Sequence, residues 1–398
     1  MRGLIIGVCV LFSIIFIVSC DSVMPASLEE DQLLDGPVSG LTGAEHRQFL
    51  LGDAAFNTEI FTGQSGLGPV FVATSCGSCH AGDGKGHPFT TLTRFGQSDA
   101  SGNKFLAQGG PQLQHRALPG YSGERLPDGA SSSRFVAPIN TGLGFMELVS
   151  DVDLLAMADP EDIDGDGISG IVNWNTIPSY VKVADGAVSH EGKYITRFGK
   201  KASVYNLLQQ TANAYNQDIG ITSSFEPVDV YSHLEVDPEI STQTINNVVF
   251  YLQTLKAPIQ RSTEREEVIK GKDLFVGISC EKCHKQTLRT GNSHIAALAN
   301  KEFHPYSDLL LHDMGSQLDD GYTEGTAKTY EWRTAPLWGL GLSPNSQGGS
   351  YYLLHDGRAH SIEEAILWHG GEAASSRQSY EQLSDADKEL LITFLKSL

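Results

Sequence analysis

Thiols are scarce in this chain of 398 residues: it has six cysteines, and none is left over for disulfide chemistry. Cys9 and Cys20 sit near the N-terminus, and the rest form two pairs, Cys76/Cys79 and Cys280/Cys283, with no further pair to complete a zinc site around either. Positive charge is also short, with 28 Lys and Arg against 48 Asp and Glu and a formal net charge of −20. Such a field repels nucleic acid and favours a basic protein partner. Long apolar runs are missing except for Leu4–Val18, which follows Met1-Arg2-Gly3 in the manner of a secretory signal. No segment shows convincing strand alternation.

The apolar run closes on Ile17-Val18-Ser19-Cys20, which resembles a bacterial lipobox. In that reading residues 1–19 are a lipoprotein signal peptide, and Cys20 is acylated and begins the mature chain. A plain signal peptide or an uncleaved anchor remains the alternative. Residues 20–41 are polar and bear Gly, Pro and Ser, as a tether does. The expected location is the periplasm or cell envelope, with a lipid anchor to a membrane.

Both cysteine pairs belong to the pentapeptide Cys-x-x-Cys-His: Cys76-Gly-Ser-Cys79-His80 and Cys280-Glu-Lys-Cys283-His284. In this pattern the thiols form thioethers to haem vinyl groups and the imidazole becomes the proximal iron ligand. The x-x spacing puts both sulfurs on one side of a turn, with the histidine next. The expected cofactors are two covalently bound haem c groups, and a small redox protein is the expected electron donor or acceptor.

At this length the chain can hold two domains of ordinary size. A faint repeat supports that division. Gly68-Pro69-Val70-Phe71 precedes the first pentapeptide and Gly271-Lys272-Asp273-Leu274-Phe275 the second, and helix-like segments at 247–255 and 388–398 close each half. In the first closing segment Ile245, Val248, Leu252 and Leu255 share a stripe, and Ala257-Pro258 ends it. The expected fold is mostly α, with two cytochrome c-like domains at 42–258 and 264–398. The first is enlarged by a loop-rich insertion over residues 100–195. Helices are expected at Val152–Ala158 and Ala202–Asn216, the second presenting Val204, Leu207, Leu208, Thr211 and Tyr215 on one face.

Within the insertion, Asp162-Ile163-Asp164-Gly165-Asp166-Gly167-Ile168 reproduces the first half of a calcium loop. Asp162, Asp164 and Asp166 supply oxygens at positions 1, 3 and 5, and Asn173 replaces the usual Glu at position 12. A calcium ion is the second cofactor expected; an acidic, Gly-rich solvent loop is the alternative.

Two C-terminal blocks, Glu331-Trp332-Arg333-Thr334-Ala335-Pro336-Leu337-Trp338-Gly339 and Leu354-His355-Asp356-Gly357-Arg358, carry a specific resemblance. With Tyr306–Gly315, Asp164–Gly170 and Gly68–Phe71, they resemble the bacterial di-haem oxidoreductase family, whose members are also labelled thiol oxidoreductases. The chemistry of the thiol label is missing here, because no cysteine pair is free. The family is related to di-haem cytochrome c peroxidases. The resemblance implies that His369, fourteen positions after His355, is the sixth ligand of the second haem; His312 and Met314 are rivals. It aligns Ala214 with the matching position of the first domain, leaving that haem open to hydrogen peroxide. It also implies a distal Gln210 and an acid at Asp218, with Glu147 as another candidate acid; Met146 or His115 would instead close the first haem. Where the related peroxidases carry Trp-Asp-Gly, with the Trp between the haems, this chain has Arg197-Phe198-Gly199, and Trp174 is the nearest substitute in sequence. The function implied is electron relay through the second haem to peroxide at the first. The alternatives are a non-catalytic electron carrier and a redox component of an iron-uptake system.

Overall fold

Two helix crossings organise the chain, and a glycine permits each of them. Helix Gly43–Asn57 starts at Thr42, whose hydroxyl accepts from the Glu45 amide at 3.3 Å while the Glu45 carboxylate accepts from the Thr42 amide at 2.7 Å. It packs on helix Thr242–Thr254, which is capped by Ser241. At the crossing a Cβ on Gly52 would fall 2.1 Å from the Asn247 carbonyl oxygen. Helix Glu266–Gly277 crosses helix Asp385–Ser397 in the same way, and there a Cβ on Gly271 would fall 2.2 Å from the Leu390 carbonyl. Only glycine lets the backbones approach this closely.

Each crossing also delivers a phenylalanine to the following pentapeptide. Phe56 lies 5.9 Å from the His80 ring, and Phe275 lies 6.4 Å from His284. The structural counterpart of Gly271–Phe275 is therefore Gly52–Phe56. It is not Gly68–Phe71, as the sequence spacing suggests: Val70–Phe71 is instead a short strand antiparallel to Arg116–Ala117.

The predicted stripe of Ile245, Val248, Leu252 and Leu255 is fully buried, and the helix that carries it runs Thr242–Thr254. The insertion helix is Asp151–Met157, close to expectation. The segment expected at Ala202–Asn216 starts later, because Val204 bridges back to Phe198 and Asn206 caps the helix. That helix, Leu207–Asn213, runs into a π turn at Ala214–Asp218.

Among the described residues helix outweighs strand, yet eleven short strands make the fold less purely α than the sequence suggests. The strands form small antiparallel ladders: Leu92–Phe95 with Ser132–Phe135, Leu311–Asp313 with Glu331–Arg333, and Lys193–Thr196 between Asn173–Asn175 and Ser189–His190. Strands of two to four residues are too short for alternation to register, and distant segments create them.

The computed structural model describes residues 29–398; the leader, Cys20 and the tether up to residue 28 lie outside the described residues. Glu30–Gln32 form a 3-10 turn in the short unit ending at Leu33, and Leu34–Leu398 form the second unit. In that unit the largest apolar cluster joins Phe49, Phe56, Val248 and Tyr251 to Leu288, Phe303 and Trp338 from the C-terminal part of the chain. A second cluster surrounds Phe275, Tyr306 and Phe394. Among the described residues no helix is long and apolar enough to cross a membrane.

Candidate functional site

Each pentapeptide opens onto its own cavity. The first, about 190 Å³, has Cys76, Cys79 and His80 in its wall. Cys76–Ser78 form a 3-10 turn capped by Ser75, whose hydroxyl accepts from the Ser78 amide at 3.2 Å; the His80 amide then donates to the Cys76 carbonyl at 3.1 Å. This tight turn brings both sulfurs and the imidazole to one cavity. Burial pushes both thiols up to about 12, with Asp218 adding to it. Burial also pushes His80 down to about 4, partly offset by the Pro138 carbonyl, so the ring stays neutral.

The second cavity, about 250 Å³, is lined by Cys280, Cys283, His284 and His369. His284 donates from Nδ1 to the Tyr306 carbonyl at 2.9 Å, and His369 from Nδ1 to the Ala365 carbonyl at 2.7 Å. A carbonyl on Nδ1 fixes the tautomer and leaves the Nε2 lone pair for a metal. Burial lowers both imidazoles, and each ring is close enough for His369 to act on His284. The rival His312 has no nitrogen to spare. Its Nδ1 is 2.6 Å from Glu372 and its Nε2 is 2.9 Å from Asp308. Burial opposes its charge, but those bonds hold it well above the usual imidazole range, as an imidazolium. Met314 also lines this cavity.

These residues fit haem. Two apolar-walled cavities each hold a pair of unlinked thiols and a neutral imidazole, and no second cysteine pair reaches either one.

Part of the first cavity's wall is the segment where the helix widens into its π turn. Gln210, Thr211, Ala214, Tyr215 and Asp218 all line it. A π turn inserts one residue and re-aims those that follow, a frequent device at functional sites. The Asp218 carbonyl accepts from the Val72 and Ala73 amides at 2.7 and 3.0 Å, which ties this wall to strand Val70–Phe71. Its carboxylate accepts from the Gln112 amide. Burial raises the Asp218 carboxyl to about 6, against the opposing effects of Gln112 and Arg94.

Other candidates stand elsewhere. Glu147 does not line the cavity: its carboxylate accepts from the Leu207 amide at 2.7 Å and from Gln253 Nε2 at 2.6 Å, pinning one helix start to another helix. His115 is exposed and outside the wall, whereas Met146 is buried within it. Trp174 borders neither cavity, but Trp338 borders both, as do Lys200 and Arg333. In the Arg197-Phe198-Gly199 triplet, Arg197 pairs with buried Asp151 and Phe198 lines the first cavity. Gln112 and Lys200 belong to no spacing motif, and only the convergence of distant segments reveals them; Tyr215 stood on a helical stripe and Arg333 and Trp338 in a resemblance block, with no place at a cavity implied for any of the three.

In the acidic loop the structure gathers Asp159, Asp162 and Asp164, with one carboxylate oxygen from each within 4.8 Å of the others. Asp166 turns away to Lys282, within the second pentapeptide, at 2.5 Å. Asn173 leaves the loop altogether. Its buried side chain donates to the Lys201 and Glu324 carbonyls at 2.6 and 3.0 Å.

No curated protein matches the chain. It is similar to a solved structure of hydrazine synthase from Kuenenia stuttgartiensis pressurised with xenon, at 11% identity over 94% of this chain and 98% of that one. The TM-score of that match is 0.39, too low to bear on the site. The family model described as "Di-haem oxidoreductase, putative peroxidase" matches residues 128–398. That span takes in the second pentapeptide, His369 and the π-turn wall of the first cavity, and the chain belongs to this di-haem oxidoreductase family.

Proposed function

We propose that the protein is an extracytoplasmic di-haem c oxidoreductase with two cytochrome c-like halves, in which the second haem relays electrons and the first reduces hydrogen peroxide. One observation carries this reading: the second cavity holds two imidazoles with free Nε2 atoms, whereas the position expected to close the first is the methyl of Ala214. Haem bound through Cys76/Cys79 and Cys280/Cys283 supplies iron for one-electron transfer and for breaking the peroxide O–O bond.

The chain's own residues do the rest. His80 would hold the first iron, and His284 with His369 would hold the second and leave it no place for a small ligand. Ala214 leaves room in the first cavity, and Gln210 offers an amide there. Asp218 would accept a proton from one peroxide oxygen and return it to the leaving oxygen, general acid–base work suited to a carboxyl raised to about 6. The reading places the protein in the periplasm or cell envelope through lipid at Cys20. A small basic redox protein supplies electrons to the strongly acidic surface.

The ferric spectrum tests this assignment. One high-spin and one low-spin haem per chain are expected by electron paramagnetic resonance. Two low-spin signals would mean that a side chain such as Met146 closes the first iron, making the protein a carrier.

Calcium at Asp159, Asp162 and Asp164 completes the reading, replacing the set expected from spacing. A chelator is expected to lower the thermal midpoint by about 2 °C or more, because a ligand bound only to the folded state stabilises it. The same midpoint with and without chelator would remove the ion.

A further inference from the structure

Three cations meet where the two cavities adjoin. Lys200 and Arg333 border both, and Lys85 borders the second. Arg333 donates from Nε to the Gly199 carbonyl at 2.9 Å, which supplies no counter-charge. Among the described residues none of the three forms an ion pair with a carboxylate. Asp356 acts on Lys200 and Asp308 on Arg333 only at longer range. Burial, reinforced by Lys85 and Arg333, pushes Lys200 well below the usual lysine range, and burial alone takes Lys85 to about 8. A fourth group stands at the same boundary: the Trp338 indole N–H is buried with no acceptor, in a ring that borders both cavities.

Deep like charges without a counter-ion are costly, and so is a buried donor without an acceptor. Four such groups in one place call for an anion. The groups belong to the cavity walls themselves, so the anion must be part of what fills the cavities. Haem is otherwise apolar and carries two propionate carboxylates. We propose that Lys200 and Arg333, with Lys85 and the Trp338 N–H, form one shared anchor for the propionates of both haems. This rests on the haem reading above. The anchor gives each haem the same buried positive neighbour, which disfavours ferric iron in both and raises both reduction potentials together. His80 already feels Lys200 through space.

Lys200→Met tests the anchor by redox titration, after pyridine haemochrome has counted c-type haem. Two haems per chain are expected. Both potentials are expected to fall, each by at least about tenfold in its reduction equilibrium constant, which is about 59 mV for a one-electron couple. Lys200→Arg keeps the charge and restores both. Trp338→Phe keeps the ring, loses the donor and gives a smaller fall in the same direction. Two haems with both potentials unmoved in Lys200→Met and Trp338→Phe would overturn the anchor, and so would a shift confined to one haem. Inorganic phosphate at constant ionic strength leaves the wild-type potentials unchanged; potentials that track phosphate would replace the anchor with a site for a free anion. Wild-type protein without c-type haem would instead remove the reading beneath it, and the anchor with it.

Discussion

Asp218→Asn is expected to lower peroxide turnover by about 10²-fold or more, the usual contribution of a positioned acid–base group, or about 2.7 kcal/mol of barrier. The pH profile makes the expectation specific. Burial raises the Asp218 carboxyl from 3.8 to about 6, with the Gln112 hydrogen bond opposing. The ionised form, which can take a proton from peroxide, therefore grows as pH rises through about 6. Wild-type turnover should fall as pH drops through that value, and the Asn variant should lack this limb. The stability sign separates chemistry from folding. A carboxyl raised in the folded state binds its proton more tightly there, so its contribution weakens as pH rises from 3.8 through 6. At neutral pH the native group is a buried charge, and Asn at this position should fold at least as well. Wild-type turnover with an unchanged profile in Asp218→Asn would exclude this carboxyl from the reaction.

His369→Ala is expected to convert the second haem completely from low to high spin in the ferric protein. Under the proposed function both haems should be retained, because thioethers at Cys280 and Cys283 would hold the group whatever happens to the sixth ligand. His284 and His369 share a hydrogen-bonding pattern, Nδ1 to a main-chain carbonyl at 2.9 and 2.7 Å, which aims Nε2 in each case at the cavity. His312 cannot take over, since Glu372 and Asp308 occupy both of its nitrogens. Met314 is the remaining rival in the wall, so Met314→Leu should leave the low-spin signal intact. A low-spin signal that survives His369→Ala and disappears in Met314→Leu would transfer the ligand role to methionine.

The legible part of the site is the part whose chemistry is local. A Cys-x-x-Cys-His turn closes through its own backbone, as the bond from the His80 amide to the Cys76 carbonyl shows, so five residues suffice to recognise it. The helix at Thr242–Thr254 was legible for a similar reason, since an apolar stripe at helical spacing must find a partner. Glu147 was a misleading candidate. The sequence offers it as a candidate acid, yet it lines neither cavity and its two short hydrogen bonds tie helices together. Trp174 failed as a bridge because nearness along the chain says nothing about which side chain reaches a boundary made by segments more than a hundred residues apart.

From its amino acids alone, this protein was bound to carry two Cys-x-x-Cys-His turns, a strong negative charge and an apolar-striped helix at 242–254, because these depend on local sequence, summed charge and short-range periodicity. Tertiary structure alone decided that Gly52 and Gly271 are the crossing points, that His312 is locked between carboxylates, and that Lys200, Arg333 and Trp338 meet between the cavities. Those outcomes depend on which distant backbones approach one another, and no local pattern of residues encodes that distance.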